Sequence, residues 1–256
     1  MNIEDCVNTI KASKKYNSIC DETIIRISEN EMKKNKSDKE IIKSVKTKLY
    51  QISGAFISDD SIKFIYKNYE LSKSFPMVEA LHSSTAERIS FAKEMYRDIF
   101  SVTGDECSIL DIGCGLNPFF LGNMKKLYGG KYFATDINLK LIKLLNIFFA
   151  STNIDGHAFP NDVLYKVPDI HVENVFLFKI LPLFEQQQKG SSKRIIEEID
   201  SEYFTITFPT KTLSGKNVGM KNFYNNFIKN NFTEEEFEYC FEKEYINELL
   251  YIIKKK

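Results

Sequence analysis

Two glycines and a distant carboxylate form the pattern with the clearest chemical meaning in this chain. Gly113 and Gly115 follow an apolar run that ends at Asp111, and Asp136 ends the next apolar run about twenty residues later. A strand, a glycine turn and a helix, with an acid at the tip of the next strand, is an arrangement that holds a nucleoside cofactor. We therefore predict a cofactor site at this point of the fold.

The spacing of the glycines separates two candidate cofactors. A dinucleotide needs a third glycine and a helix N-terminus facing its pyrophosphate, but the three residues after Gly115 include no glycine. S-adenosylmethionine has no phosphate, so a turn that lets the backbone approach its methionine part is sufficient, and Asp136 can accept hydrogen bonds from both ribose hydroxyls. The pattern favours a methyltransferase over a dehydrogenase. The alternative is a tight turn alone, with Asp136 capping the helix that follows.

The elements around this turn alternate between strand and helix. Strands are predicted near 108–111, 131–135, 156–159, 174–179 and 203–208, with helices near 118–127, 139–150, 185–199 and 221–231. Two further strands, 236–241 and 248–253, are close enough in sequence to form an antiparallel hairpin. The predicted fold class is α/β, a class I methyltransferase Rossmann-like doubly wound sheet with an antiparallel C-terminal hairpin.

The residues before this sheet have helical periodicity. Ile41, Val45 and Leu49 recur at helical spacing, and similar stripes occur up to about residue 104. Ser84 begins a predicted helix that bridges the two parts and ends at Gly104. We predict an α-helical N-terminal domain at 1–80 and a methyltransferase domain at 81–256.

Composition limits the partners and the compartment. The 256 residues carry 35 basic and 35 acidic side chains, but residues 33–73 hold ten lysines against five acids, and residues 206–229 hold four lysines and no acid. Such patches could meet a polyanion, or they could be solvated helix faces. The five cysteines show no paired zinc spacing, so no metal is expected. The sequence shows no signal peptide and no run of eighteen apolar residues, which predicts a cytoplasmic protein with no membrane partner.

Other loops after predicted strands supply further polar groups. Asp162 could accept the adenine amino group while Val163 offers a backbone and apolar contact, with a simple turn aspartate as the alternative. Arg88 could bind the carboxylate of the cofactor, because a guanidinium fork matches a carboxylate. The alternative for Arg88 is a surface arginine.

Four motifs in order resemble the aminoglycoside-resistance 16S rRNA guanine-N7 methyltransferases. They are His82–Arg88, Asp111–Pro118, Lys179–Gln187 and Phe208–Gly215, and they cover roughly residues 80 to 225. The resemblance implies methylation of the decoding-site guanine at position 1405 within the 30S subunit. It also implies that the helical N-terminal domain docks on that subunit, and we expect a monomer.

The candidate residues fall into two groups. The cofactor group consists of Arg88, Gly113, Gly115, Asp136, Ile137, Asp162, Val163, Leu181 and Gln187. The substrate or RNA group consists of Lys179, Pro182, Phe208, Lys211, Lys216 and Lys221. The last three lysines would contact phosphates, with solvated lysines as the alternative. Phe208 could stack on the target base, with core packing as the alternative.

No catalytic acid or base is predicted. Guanine N7 carries an in-plane lone pair and no proton, so catalysis can rest on alignment and on exclusion of water. Two alternatives stay open at this point. One is a methyltransferase of another rRNA base or of a small molecule, and the other is a non-catalytic protein that binds the ribosome.

Overall fold

The structure is a computed structural model that describes residues 1–34, 36–54, 57–72, 75, 78–123, 127–210 and 219–256. The helices are α1 (Ile3–Lys11), α2 (Asp21–Met32), α3 (Asp38–Leu49), α4 (Asp59–Ser72), α5 (Ser83–Ala86), α6 (Ala92–Thr103), α7 (Pro118–Asn123), α8 (Leu139–Ser151), α9 (Leu181–Gln187), α10 (Ser191–Glu198) and α11 (Met220–Asn231). A π-helical turn at Tyr50–Gly54 and a 3-10 turn at Val78–Leu81 complete the helical elements of the described residues. Within these ranges no helix is both long and apolar enough to cross a membrane.

Seven strands form one sheet in the order β3-β2-β1-β4-β5-β7-β6. They are β1 (Ile109–Ile112), β2 (Tyr132–Asp136), β3 (Gly156–Pro160), β4 (Val172–Phe178), β5 (Ser201–Pro209), β6 (Phe237–Glu244) and β7 (Glu248–Lys255). The first five strands are parallel, and β7 pairs antiparallel with both β5 and β6. The predicted doubly wound sheet with an antiparallel C-terminal hairpin is confirmed.

Apolar side chains cover both faces of the sheet. One face buries an aromatic-rich cluster that includes Tyr96, Tyr132 and Phe176, and the other buries a cluster with Ile195 and Phe204. All four residues of β1 are buried, as expected for a central parallel strand, and three of them are apolar while the third residue is Asp111. The sheet is therefore a rigid support for the loops at its edge.

The first three helices have a separate core. Cys6, Ile24 and Val45 belong to this cluster, whereas Ile62 and Ile65 of α4 pack with the sheet. The cores thus divide between α3 and α4, and the domain boundary at residue 80 stays a prediction. An isolated antiparallel bridge between Ile19 and Asn138 connects the helices to the start of α8.

Two helices that were predicted as continuous are each interrupted in the structure. The predicted helix at 185–199 is interrupted because Gly190 adopts a left-handed φ of 81°, and the Glu185 carboxylate accepts hydrogen bonds from the main-chain N–H of Gly190 and Ser192, each at 2.8 Å. The predicted bridging helix is also divided, into α5 and α6. Ile89, assigned to its apolar stripe, is 43% exposed in the intervening turn, and the neighbouring Arg88 is fully buried.

The remaining boundaries agree closely with the predictions. Each predicted strand overlaps an observed one, and the helices predicted at 139–150 and 221–231 differ from α8 and α11 by one residue at one end. The helix predicted at 118–127 is observed as α7 up to Asn123, and positions 124–126 lie outside the described residues. Strong apolar periodicity therefore located the elements, whereas local capping decided where they end.

Candidate functional site

A cavity of about 350 Å³ lies at the carboxyl ends of the parallel strands. β1 and β4 are neighbours although β2 and β3 come between them in sequence, so the strand order reverses there. Ligands of open α/β sheets bind at such a switch point. The loops after β1, β2, β3 and β4 line this cavity, and the N-terminal segment adds Arg26 and Ile52.

The glycine turn after β1 forms one wall. Gly113 and Gly115 have φ values of 64° and 52°, a left-handed conformation that glycine adopts without steric cost. Gly113 lines the cavity, whereas Gly115 packs against His82, whose imidazole would be 2.8 Å from a Cβ at that position. The wall is therefore backbone rather than side chain, as a close approach to a ligand requires.

Asp136 ends β2 and also lines the cavity. Its Oδ1 accepts a hydrogen bond from the main-chain N–H of Asn138 at 2.9 Å, and its Oδ2 accepts one from Gly115 at 3.4 Å. Burial raises the pKa of Asp136, and these main-chain donors oppose the rise. Asn138 caps α8 by accepting from the main-chain N–H of Lys140 and Leu141. The alternative that Asp136 is the helix cap is therefore wrong.

The residue after Asp136 joins the cavity to the N-terminal helices. Ile137 lines the cavity and packs against the core of α1 to α3. Its carbonyl accepts a hydrogen bond from the Cys20 N–H at 2.8 Å, and the Leu139 N–H donates to the Ser18 carbonyl at 2.7 Å. The loop predicted to hold the ribose is thus fixed by main-chain bonds to another part of the chain.

The loop after β3 brings Asp162 and Val163 to the cavity, as predicted, and Gln187 of α9 lies there too. Asp162 and Gln187 share a partner, Arg26, that was not predicted from the sequence. Its Nε donates to Asp162 Oδ2 at 2.9 Å and its Nη2 donates to Gln187 Oε1 at 2.9 Å. An arginine inside the apolar run Ile24–Ile27 was the available signal, because a charge on a buried helix face needs a partner.

Arg88 lines the cavity but is not a surface arginine, since it is 2% exposed. Its Nε lies 3.1 Å from each carboxylate oxygen of Glu248, and its Nη2 lies 2.8 Å from Oε1. Its Nη1 donates to Asn117 Oδ1 at 3.3 Å, and the ring of Phe178 lies 4.8 Å from the guanidinium carbon. The predicted role of Arg88 toward a cofactor carboxylate stays a prediction, and Glu248 is a buried partner that the sequence analysis missed.

Lys179 and Pro182, predicted to contact substrate, both line the cavity. Lys179 has a φ of 56°, which is uncommon for a residue other than glycine, asparagine or aspartate. Its Nζ lies 2.6 Å from Glu87 Oε2 and 3.1 Å from Glu248 Oε2. These two carboxylates hold the ammonium at the rim of the site and balance its charge.

The other predicted site residues lie away from the cavity lining or outside the described residues. Leu181 is fully buried, and Phe208 is fully buried and stacked on Tyr224 with ring centroids 4.6 Å apart. An RNA-stacking role for Phe208 is therefore contradicted, because its ring has no exposed face. Lys221 pairs with Glu244 at 2.6 Å on the surface. Lys211 and Lys216 lie outside the described residues.

A network of buried polar side chains connects the residues on either side of the glycine turn. Asp111 Oδ2 accepts hydrogen bonds from Asn117 Nδ2 at 2.8 Å and from the Tyr132 hydroxyl at 2.5 Å. Burial raises the pKa of Asp111 to about 6. Burial lowers the pKa of His82 to about 4, and the charges of Arg88 and Lys179 lower it further. Two groups at this site therefore titrate in opposite directions from their usual values.

We expect His82→Asn to reduce the sensitivity of folding to acid. A folded-state pKa below the unfolded value means that His82 favours folding at neutral pH and loses this contribution as the pH falls from about 6.5 to 4. Asp111 has the opposite shift, so its protonation favours the folded state increasingly as the pH falls through about 6. Asparagine keeps an acceptor for the Thr85 N–H that His82 now caps.

Urea unfolding of both proteins at pH 7 and pH 5 tests this expectation. Between pH 7 and pH 5, the unmodified chain should lose about 2 kcal/mol more unfolding free energy than the variant. Equal changes in the two proteins would contradict it.

Comparisons with known proteins agree with this geometry. The family model of ribosomal RNA methyltransferases (FmrO) matches residues 70–252. A Serratia marcescens protein, 16S rRNA (guanine(1405)-N(7))-methyltransferase, is 32% identical over 257 residues, which is 100% of this chain and 99% of its own. The structure of the 16S rRNA methylase RmtB has a TM-score of 0.87 at 30% identity, covering 100% of this chain and 99% of that one. The methyltransferase RmtF in complex with S-adenosyl-L-homocysteine has a TM-score of 0.89 at 26% identity over both full chains.

The sheet order, the C-terminal hairpin and the cavity beside the glycine turn define a class I methyltransferase. A carboxylate at the end of β2 and a wall of backbone fit a nucleoside cofactor without phosphate, and S-adenosylmethionine is the cofactor of this class. The chain belongs to the FmrO family of ribosomal RNA methyltransferases. The predicted family, enzyme class and cofactor are thereby confirmed.

Proposed function

We propose that this chain methylates N7 of guanine 1405 in 16S rRNA within the 30S subunit and thereby confers aminoglycoside resistance. The observation that carries the proposal is the switch-point cavity with Asp136 and Gly113 in its wall. The 32% identity to the Serratia marcescens guanine 1405 methyltransferase over the whole chain supports the choice of target. The protein would act as a monomer in the cytoplasm, where it meets the small ribosomal subunit.

The cavity residues have binding and alignment roles in this proposal. Bound S-adenosylmethionine supplies an electrophilic methyl group. Asp136 would accept from the ribose hydroxyls, Gly113 would allow close approach of the methionine part, and Arg88 would contact its carboxylate. The lone pair of N7 would form the bond to the methyl carbon, and the electron pair of the methyl–sulfur bond would stay on sulfur. No proton is released, because N7 carries none. The Lys179 charge is balanced by Glu87 and Glu248, which limits its repulsion of the cationic product base.

A lysine cluster on the N-terminal helices supports docking on RNA. Glu31 of α2 has no exposed surface, and its carboxylate lies 2.6 to 2.7 Å from the ammonium groups of Lys34, Lys36 and Lys48. Burial raises the pKa of Glu31, but the hydrogen bonds from these lysines outweigh it and hold the pKa far below its usual value. One carboxylate thus gathers three lysines into a patch with excess positive charge. Such a patch would contact phosphates without reading sequence.

A susceptibility panel in a drug-sensitive bacterial host tests the target. Expression of the chain should give resistance to gentamicin- and kanamycin-type drugs while the host stays sensitive to apramycin. Resistance to apramycin would instead indicate the neighbouring adenine as the target. No change in susceptibility, with the folded protein present in the cells, would contradict the proposed function.

A further inference from the structure

Arg26 connects the N-terminal helices to two residues of the cofactor cavity. Its side chain, on α2, is 10% exposed. The guanidinium reaches Asp162 Oδ2 from Nε at 2.9 Å and from Nη2 at 2.8 Å, and Nη2 also reaches Gln187 Oε1 at 2.9 Å. Arg26 is 136 residues away from Asp162 in sequence and 161 residues away from Gln187. One buried cation therefore fixes two polar side chains that line the same cavity.

These contacts determine which atoms of Asp162 can accept a ligand. A carboxylate has about four acceptor positions. Arg26 donates from Nε to Oδ2 and its Nη2 also lies within ion-pair distance of Oδ2, while the main-chain N–H of Leu164 donates to Oδ1 at 3.0 Å. An acceptor position is left on Oδ1, and Asp162 lines the cavity. The carboxylate therefore presents one defined oxygen as an acceptor.

The same contacts determine the orientation of the Gln187 amide. Its Oε1 accepts from Arg26, and its Nε2 donates to the Leu183 carbonyl at 3.2 Å. An amide nitrogen carries two N–H groups, so a second donor is available on Nε2. Because Arg26 accepts nothing, the amide cannot flip without placing Nε2 against a cation. The guanidinium thus fixes an acceptor on Asp162 and a donor on Gln187, two residues that line the same cavity.

This pair matches one edge of adenine, where an amino donor lies beside a ring-nitrogen acceptor. We propose that Arg26 is a positioning residue that sets Asp162 as acceptor and Gln187 as donor for the adenine of the cofactor. The N-terminal helices would thereby contribute to the selectivity of the cofactor site for adenine. This inference rests on the cofactor named in the proposed function but not on its RNA target.

Binding of two ligands that differ at this edge tests the role of Arg26. S-inosyl-L-homocysteine replaces the amino donor of S-adenosyl-L-homocysteine by a carbonyl acceptor and the ring acceptor by an N–H donor. By titration calorimetry, the unmodified chain should prefer the adenosyl ligand by about 30-fold or more, as expected where buried polar groups would otherwise lose their partners. Arg26→Met should weaken adenosyl binding about tenfold and reduce the preference to about threefold.

A matched control separates positioning from a general loss of stability. Lys254→Met also removes one cation and one ion pair, at a partly exposed position on β7, and it should leave both affinities within about twofold. A folded Arg26→Met variant that keeps the full preference would overturn the proposal.

If Arg26→Met does not fold, Arg26→Lys and Gln187→Glu take its place. Lysine can keep the ion pair with Asp162 but lacks the planar fork that also holds Gln187, and glutamate removes the donor while keeping a partner for Arg26. Each should reduce the preference about tenfold or more, and an unchanged preference in both would overturn the proposal. An error in the proposed RNA target would give a different result from an error in the role of Arg26. In that case 30S subunits would not be methylated, although the adenosyl ligand would still bind.

Discussion

Replacing Asp136 by alanine is expected to raise the dissociation constant for S-adenosyl-L-homocysteine by about 100-fold or more and to abolish methyl transfer at ordinary cofactor concentrations. The two ribose hydroxyls would each lose a charge-assisted hydrogen bond, and such bonds contribute about 1.5–3 kcal/mol each. The Gly115 N–H would also lose its acceptor at 3.4 Å, which loosens the glycine turn. Calorimetry with the purified variant measures the loss directly.

Asp155→Ala is the matched control for this variant. Asp155 is an exposed aspartate that directly precedes β3, so it lies at the edge of the sheet opposite the cavity. Its replacement should leave the dissociation constant within about twofold. Burial raises the pKa of Asp136, which means that burying its charged carboxylate lowers the stability of the fold. The Asp136→Ala variant should therefore stay folded. An unchanged affinity in a folded Asp136→Ala protein would contradict the placement of the ribose.

Replacing Arg88 by methionine is expected to lower the free energy of unfolding by about 3–5 kcal/mol, because breaking a buried ion pair leaves an uncompensated charge. Glu248 has no exposed surface, and Arg88 contacts both of its oxygens. Lys179 at 3.1 Å would then be the remaining ion-pair partner of Glu248 within the described residues. Urea unfolding at pH 7 measures this loss.

Two comparisons show whether the lost ion pair causes the effect. Arg97→Met removes an exposed arginine from the neighbouring helix α6 and should change stability by less than about 0.5 kcal/mol. Adding Glu248→Gln to Arg88→Met should restore part of the loss, because the buried charge is then removed as well. An Arg88→Met variant as stable as Arg97→Met would contradict this account of the pair.

The cofactor loops could be predicted from sequence because their signals are local. A continuous apolar run, two glycines and an acid at the next strand end fall within about thirty residues, and parallel strands bring their carboxyl ends to one edge. Gly113, Asp136 and Asp162 were located in this way and do line one cavity. Their roles toward a bound cofactor remain predictions that the variants above test.

The side chains that hold the site in place could not be predicted in the same way. Arg26 meets Asp162 across 136 residues and Arg88 meets Glu248 across 160 residues, and no local pattern encodes such pairings. The interrupted helix at Gly190 was missed because a glutamate five residues earlier caps the new start. Phe208 was misplaced because a buried core aromatic and a base-stacking aromatic are the same residue type in a sequence.

Methyl transfer to purified 30S subunits tests the central claim most directly. The protein would be incubated with 30S subunits and S-adenosylmethionine labelled in its methyl group, and the modified base mapped by chemical cleavage at N7-methylguanine followed by primer extension. The account predicts incorporation of label with cleavage at guanine 1405. Absence of label, or label at another nucleotide, from a folded protein that binds S-adenosyl-L-homocysteine would contradict it.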